Sequence, residues 1–215
     1  MRHFITLLAL VVLPGLPGLT AQAQAVAEGR VRLPKPAVPP VLDQRYFKNL
    51  DASVIAADPP RGVVYLEGTF PPPAAQPRAR MAQKNLEFEF SLLPVRAGTV
   101  VEFPNEDDVY HNIFSFSKPK RFDLGRYRKD ETPVPSVLFD KPGPVALHCD
   151  IHEHMHAVIL VVDTPYFART ELDGSYKLPN LPAGHYTLAA WVSSKMTYQH
   201  PVDIPAGGAL HVDFP

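Results

Sequence analysis

One cysteine, Cys149, stands alone in a chain of 215 residues, so no intramolecular disulfide can staple this fold. A long apolar run is missing as well. The stretch Phe4–Val12 is too short to span a bilayer and is followed by Pro14-Gly15 and Pro17-Gly18. Charge of neither sign is in excess, since 21 Lys and Arg stand against 22 Asp and Glu, and this removes any bulk attraction to nucleic acid or an anionic membrane. Sustained helical periodicity is scarce. With 25 prolines and 12 glycines beside 46% hydrophobic residues, the composition predicts a folded, turn-rich protein of short strands, all-β in class.

What the chain does have is gathered in Val145–Val158, which holds the cysteine, four of the nine histidines and one of the four methionines. Alternation predicts strand, loop, strand. Val145, Leu147 and Cys149 share one face, which points the thiol at the core. A thiol at the mouth of a β core, followed at once by imidazoles and a thioether, predicts a metal site. A further ligand is suggested upstream by His111, in the strand-like segment after Asn105-Glu106-Asp107-Asp108. Two imidazoles, one thiolate and a weak thioether suit copper in either oxidation state, and so point to one-electron chemistry.

The segment from about Arg78 to Asp163 resembles the cupredoxins, the plastocyanin and azurin superfamily. The residues that carry the likeness are Met81–Phe88, Val95–Phe103, His111-Asn112-Ile113-Phe114-Ser115 and the Cys149-x-x-His152 loop. They are similar to exported plastocyanin-like proteins often labelled methylamine utilisation proteins. The resemblance implies a Greek-key β-sandwich and one copper per chain, with His111, Cys149 and His152 as equatorial ligands and Met155 as axial ligand. It also implies that the His152 ring edge lies near an apolar surface, with Ile113 and Phe114 lining the pocket. Only Glu153 and His154 separate His152 from Met155, a shorter loop than in plastocyanin. Glu153 and His154 therefore stand as rivals for the axial position.

Four segments are expected in all. Residues 1–25, with Arg2, the short apolar run and small-residue cleavage sites at Ala21-Gln22-Ala23 and Ala23-Gln24-Ala25, read as a signal peptide, which predicts a periplasmic or secreted protein with no membrane span after its removal. Residues 26–77 form an N-terminal segment with strands at 29–33 and 62–68, an undecided stretch Leu42–Ala57, and a linker over Ala74–Arg80. Residues 78–163 are the copper domain, with strands over 88–90, 99–103 and 112–116. Residues 164–215 resemble the carboxypeptidase regulatory-like β-sandwich but lack its opening strands. Those strands are expected from 29–33 and 62–68, which makes the second sandwich discontinuous and the copper domain an insertion.

The expected function is electron transfer between redox partner proteins, without catalysis on a substrate; the alternative is a periplasmic copper carrier or buffer, motivated by the extra histidines His148, His154 and His156. The run His152-Glu153-His154-Met155-His156 also fits the zinc-protease pattern His-Glu-x-x-His, which needs a helix that the flanking strands deny. Between His111 and Cys149, a basic group of Lys118, Lys120, Arg121, Arg126, Arg128 and Lys129 is expected as a solvated loop, or as a surface that steers an acidic partner.

Overall fold

The computed structural model describes residues 24–35 and 60–215. Almost all of the expected signal peptide, and the undecided stretch Leu42–Ala57, lie outside the described residues. Within them every regular element is a strand. In chain order these are β1 (Ala25–Arg30), β2 (Val63–Glu67), β3 (Arg78–Arg80), β4 (Gln83–Lys84), β5 (Glu87–Phe88), β6 (Leu92–Arg96), β7 (Thr99–Glu102), β8 (His111–Ser115) and β9 (Phe122–Tyr127). There follow β10 (Ser136–Phe139), β11 (Gly143–His148), β12 (His156–Val162), β13 (Phe167–Arg169), β14 (Ser175–Leu181), β15 (Gly184–Ser193), β16 (Met196–Ile204) and β17 (Gly208–His211).

The middle of the chain makes one β-sandwich. Its larger sheet has the order β6-β12-β11-β8-β9, its smaller one β10-β7-β3, and β4 and β5 form a separate hairpin. Strict alternation on β11 and β12 drives Val145, Leu147, Ala157, Ile159 and Val161 inward, where they meet Val101, Phe103, Val137 and Phe139 from the opposite sheet. Cys149 continues the inward phase of β11 and lies 4% exposed at the end of this core.

The two ends of the chain make a second sandwich. One sheet is β14-β1-β17 and the other β13-β2-β15-β16, enclosing Ala27, Leu66, Leu178, Leu181, Leu188 and Ile204. Val63–Glu67 pairs antiparallel with Thr187–Trp191 on one side and with Phe167–Arg169 on the other. The strand entering the first sandwich and the strand leaving it are therefore hydrogen-bonded neighbours. Buried Thr170 closes this junction, donating its backbone N–H to the Gly62 carbonyl at 2.9 Å and accepting the Gly62 N–H at Oγ1, also 2.9 Å away. An inserted unit is tolerated where its two ends lie this close. Between the sandwiches, Trp191 packs with Val63, Leu92, Leu160 and Val162.

Several expectations are corrected. The basic stretch is not all loop: Phe122–Tyr127 is a strand paired with β8, because Phe122, Leu124 and Tyr127 turn toward the core while the charges stay outside. The expected linker ends early, since Arg78–Arg80 is already a strand, parallel to β7. The strand expected at 29–33 starts at Ala25 and is followed by a single bridge at Val31, and the one expected at 88–90 is the short Glu87–Phe88.

The Asp173-Gly174 turn shows how tightly the N-terminal strand is bound. Gly174 has φ +84, and a Cβ there would fall 2.1 Å from the Val31 carbonyl oxygen. Its own carbonyl accepts the Val31 N–H at 2.8 Å. Gly174→Ala is expected to destabilise the second sandwich by about 3 kcal/mol, read by denaturant melts, from the left-handed backbone and the backbone clash together.

Candidate metal centre

The site is assembled at one end of the first sandwich from β8 and the loop between β11 and β12. His111 opens β8 and is fully buried; Cys149 follows β11; His152 lies in the loop, half-buried. One ligand atom from each of the three lies within 4.8 Å of the other two. His111 Nδ1 is 3.2 Å from His152 Nδ1, which is in turn 3.8 Å from Cys149 Sγ. Met155 N donates to the His152 carbonyl at 2.9 Å, a tight turn that returns the chain to the core, where the Met155 side chain is 1% exposed. It belongs to the same buried cluster as Cys149.

Glu153 is exposed, and His154 Nε2 meets the Leu86 carbonyl at 2.9 Å. Asp150 accepts from Arg126 at 3.1 Å and so ties the loop to β9. Ile113 is buried in the core below the site, but the Phe114 ring lies on the other face, against His148 and Phe116. The zinc-protease reading fails on geometry, because residues 152–156 run through a turn into β12 and the two histidines share no helical face.

Electrostatics prepare the donors. Burial pushes the Cys149 thiol up, but His111 and the backbone N–H groups of Asn112, His152 and Ile151 outweigh it and hold the thiol below its ordinary value. Burial likewise pushes His111 down, and its contacts with Cys149 and Asp107 bring it above the usual imidazole range. His152 lies below that range because it is desolvated and faces His111 and His154. Two imidazole nitrogens and a thiol facing one another, with no carboxylate in the group, form a soft to borderline donor set, and this fits copper better than a hard cation.

Asp107 is the functional residue that spacing did not single out. Its Oδ2 is 2.9 Å from His111 Nε2, which leaves Nδ1 to face the site. The same carboxylate accepts the N–H of Asn85 at 2.7 Å and of Leu86 at 3.0 Å. Asn85 and Leu86 are the two turn residues between β4 and β5, and both have positive φ, 56° and 62°. Asn105 supports the loop by accepting from Asp107 N and donating to the Val109 and Tyr127 carbonyls. The only trace of this in the sequence is an Asn-x-Asp step ahead of the histidine.

No family model matches the chain, and no curated protein does. Among solved structures, the copper-containing nitrite reductase of Thermus scotoductus SA-01 is 26% identical over 40% of this chain, with a TM-score of 0.37. This chain covers only 22% of that enzyme's length. A purple cupredoxin from Nitrosopumilus maritimus is 20% identical over 39% of this chain and 99% of its own, TM-score 0.35. The reduced Cu(I) form of an amicyanin mutant is 18% identical over 46% of this chain and 98% of its own, TM-score 0.37. At such TM-scores the overlap is partial, and the β-sandwich described above stands on its own strand pairing.

Proposed function

We propose that this protein is an exported mononuclear copper protein that carries single electrons between redox partner proteins. The observation that carries the reading is the convergence of His111, Cys149 and His152 at the end of a β-sandwich, with Met155 buried in the core cluster that also holds Cys149. Copper held there supplies a one-electron couple. His111, Cys149 and His152 serve as its strong ligands and Met155 as the weak one. His111 is fixed by Asp107, and Cys149 by strand β11 and the N–H groups around it. Donors set in place before the metal arrives leave little to reorganise when its charge changes. His152 is the ligand with the most exposure, which favours it as the exit for an electron.

Partner steering by the basic group has narrower support than its composition suggests. Arg126 pairs with Asp150, Lys120 with Asp140 and Lys129 with Asp108, while Arg128 lies over the Tyr110 ring. Lys118 and Arg121 remain the better candidates for contact with an acidic partner. Export calls for a cleavage site, and a cut after Ala23 rather than Ala25 leaves buried Ala25 paired within β1.

The test is a Cu(II) titration of the purified protein beside Cys149→Ser, followed by visible absorption and electron paramagnetic resonance. A strong thiolate-to-copper band that saturates at one copper and is absent from the variant is the expected result. Copper that binds in several equivalents without that band, indifferent to Cys149, would replace this reading with a copper carrier or buffer.

A further inference from the structure

Outside the centre just described, His148 and His156 form a second cluster of ligating side chains. They are the last residue of β11 and the first of β12, and they stand directly opposite each other in the antiparallel register. Both project from the outer face of the sheet, since Leu147 and Ala157 next to them are buried in the core. Their Nδ1 atoms are 3.0 Å apart, with ring centroids at 5.1 Å and the rings nearly perpendicular. The Phe114 ring packs on His148 at 5.6 Å and limits where that imidazole can turn.

We propose that His148 and His156 form a separate, surface-exposed site for a divalent transition-metal cation of the Cu(II) or Zn(II) class. Imidazole nitrogens bind such ions at about 2.0–2.1 Å, so two of them in neighbouring coordination positions stand roughly 2.8–3.4 Å apart, from right-angled to tetrahedral geometry. The observed 3.0 Å separation falls in that interval. A single Nδ1–H···Nδ1 hydrogen bond also accounts for the approach, and a dication can take the place of its one proton. The backbone holds both ligands, because the ends of two paired strands fix the two Cα positions whether or not metal is present. With two protein ligands and open solvent beyond them, the site is an exchangeable one. Soft sulfur plays no part in it, which separates it chemically from the Cys149 centre. This site goes beyond the electron-carrier reading and does not depend on it.

The experiment starts from the full-length protein with one equivalent of copper bound and kept reduced as diamagnetic Cu(I), which favours the sulfur-containing centre, titrated with Zn(II) while the histidine ring signals are followed by NMR. The His148 and His156 signals are expected to move together and to saturate at one Zn(II), while those of His185 and His211, exposed on the second sandwich, stay in place. His156→Ala, an exposed position, is expected to weaken the binding by at least about tenfold, the lower end of what even an outer-sphere change costs a metal site. No saturable shift at His148, or unchanged affinity in His156→Ala, overturns the proposal. A second measurement uses Cys149→Ser combined with His152→Ala, which disables the first centre. A nitrogen-coordinated Cu(II) resonance signal is expected to survive there and to vanish when His148→Ala is added; its absence from the starting variant also overturns the proposal. Failure of the thiolate band in the parent protein would count against the electron carrier and leave the Zn(II) result standing.

Discussion

Deleting residues 24–33 is expected to unfold the second sandwich while the thiolate-to-copper band at the first one persists. β1 is the central strand of its sheet, antiparallel to β14 and parallel to β17, so its removal leaves both neighbours without their only partner in that sheet among the described residues. It also takes away Ala25, Ala27 and Val31, each no more than 1% exposed. A small domain holds only about 5–15 kcal/mol in total, too little to survive losing the middle of one of its two sheets. Trp191, the only tryptophan, is 9% exposed between the sandwiches, and its emission should shift to longer wavelength in the deleted chain. Hydrogen exchange should lose protection across Ser175–Leu181 and Gly208–His211. Retained protection in those strands would mean that the 164–215 segment folds without its N-terminal partner, and the discontinuous sandwich would have to be abandoned.

The same strand marks the limit of what local pattern can reveal. The alternating residues of β11 made the core face and the inward thiol legible, and residue chemistry pointed to Cys149 and His111, while the choice of His152 among the four loop histidines came from the cupredoxin resemblance. Discontinuity was legible only as something missing, because the C-terminal module lacked two opening strands that its own sequence could not supply. The parallel pairing of β1 with β17 leaves no local mark, since its partners lie at opposite ends of the chain. β9 was obscured for a different reason. Its inward residues, Phe122, Leu124 and Tyr127, are interleaved with Asp123, Gly125 and Arg126 inside a basic stretch, so charge density hid the apolar phase. Asp107 sits in a run of acidic residues, where a solvated carboxylate is the ordinary expectation; only the fold brings the turn of the β4–β5 hairpin to it.

In the copper-loaded protein, Asp107→Ala is expected to lower copper affinity by about 10–100-fold and to speed metal loss to a chelator, with the visible band unchanged in character. The ligand atoms all remain, and what is lost is the hold on His111 Nε2, 2.9 Å from the carboxylate. Without that contact the imidazole is free to change its proton position and its tilt, so Nδ1 is no longer set in advance toward Cys149 and His152. Asp107→Ala also strips the acceptor from the N–H groups of Asn85 and Leu86, and a fall in affinity could arise from the hairpin instead. Leu86→Gly tests whether the Leu86 side chain and the turn it shapes contribute to the hold on the metal. Leu86 has φ 62°, a conformation costing an ordinary side chain on the order of 1 kcal/mol that glycine adopts freely, and the substitution keeps both N–H donors. Its affinity is expected to stay close to that of the parent while Asp107→Ala falls. Equal losses in both variants would assign the effect to the Leu86 side chain and the hairpin it shapes, and would remove Asp107 as the residue that positions His111.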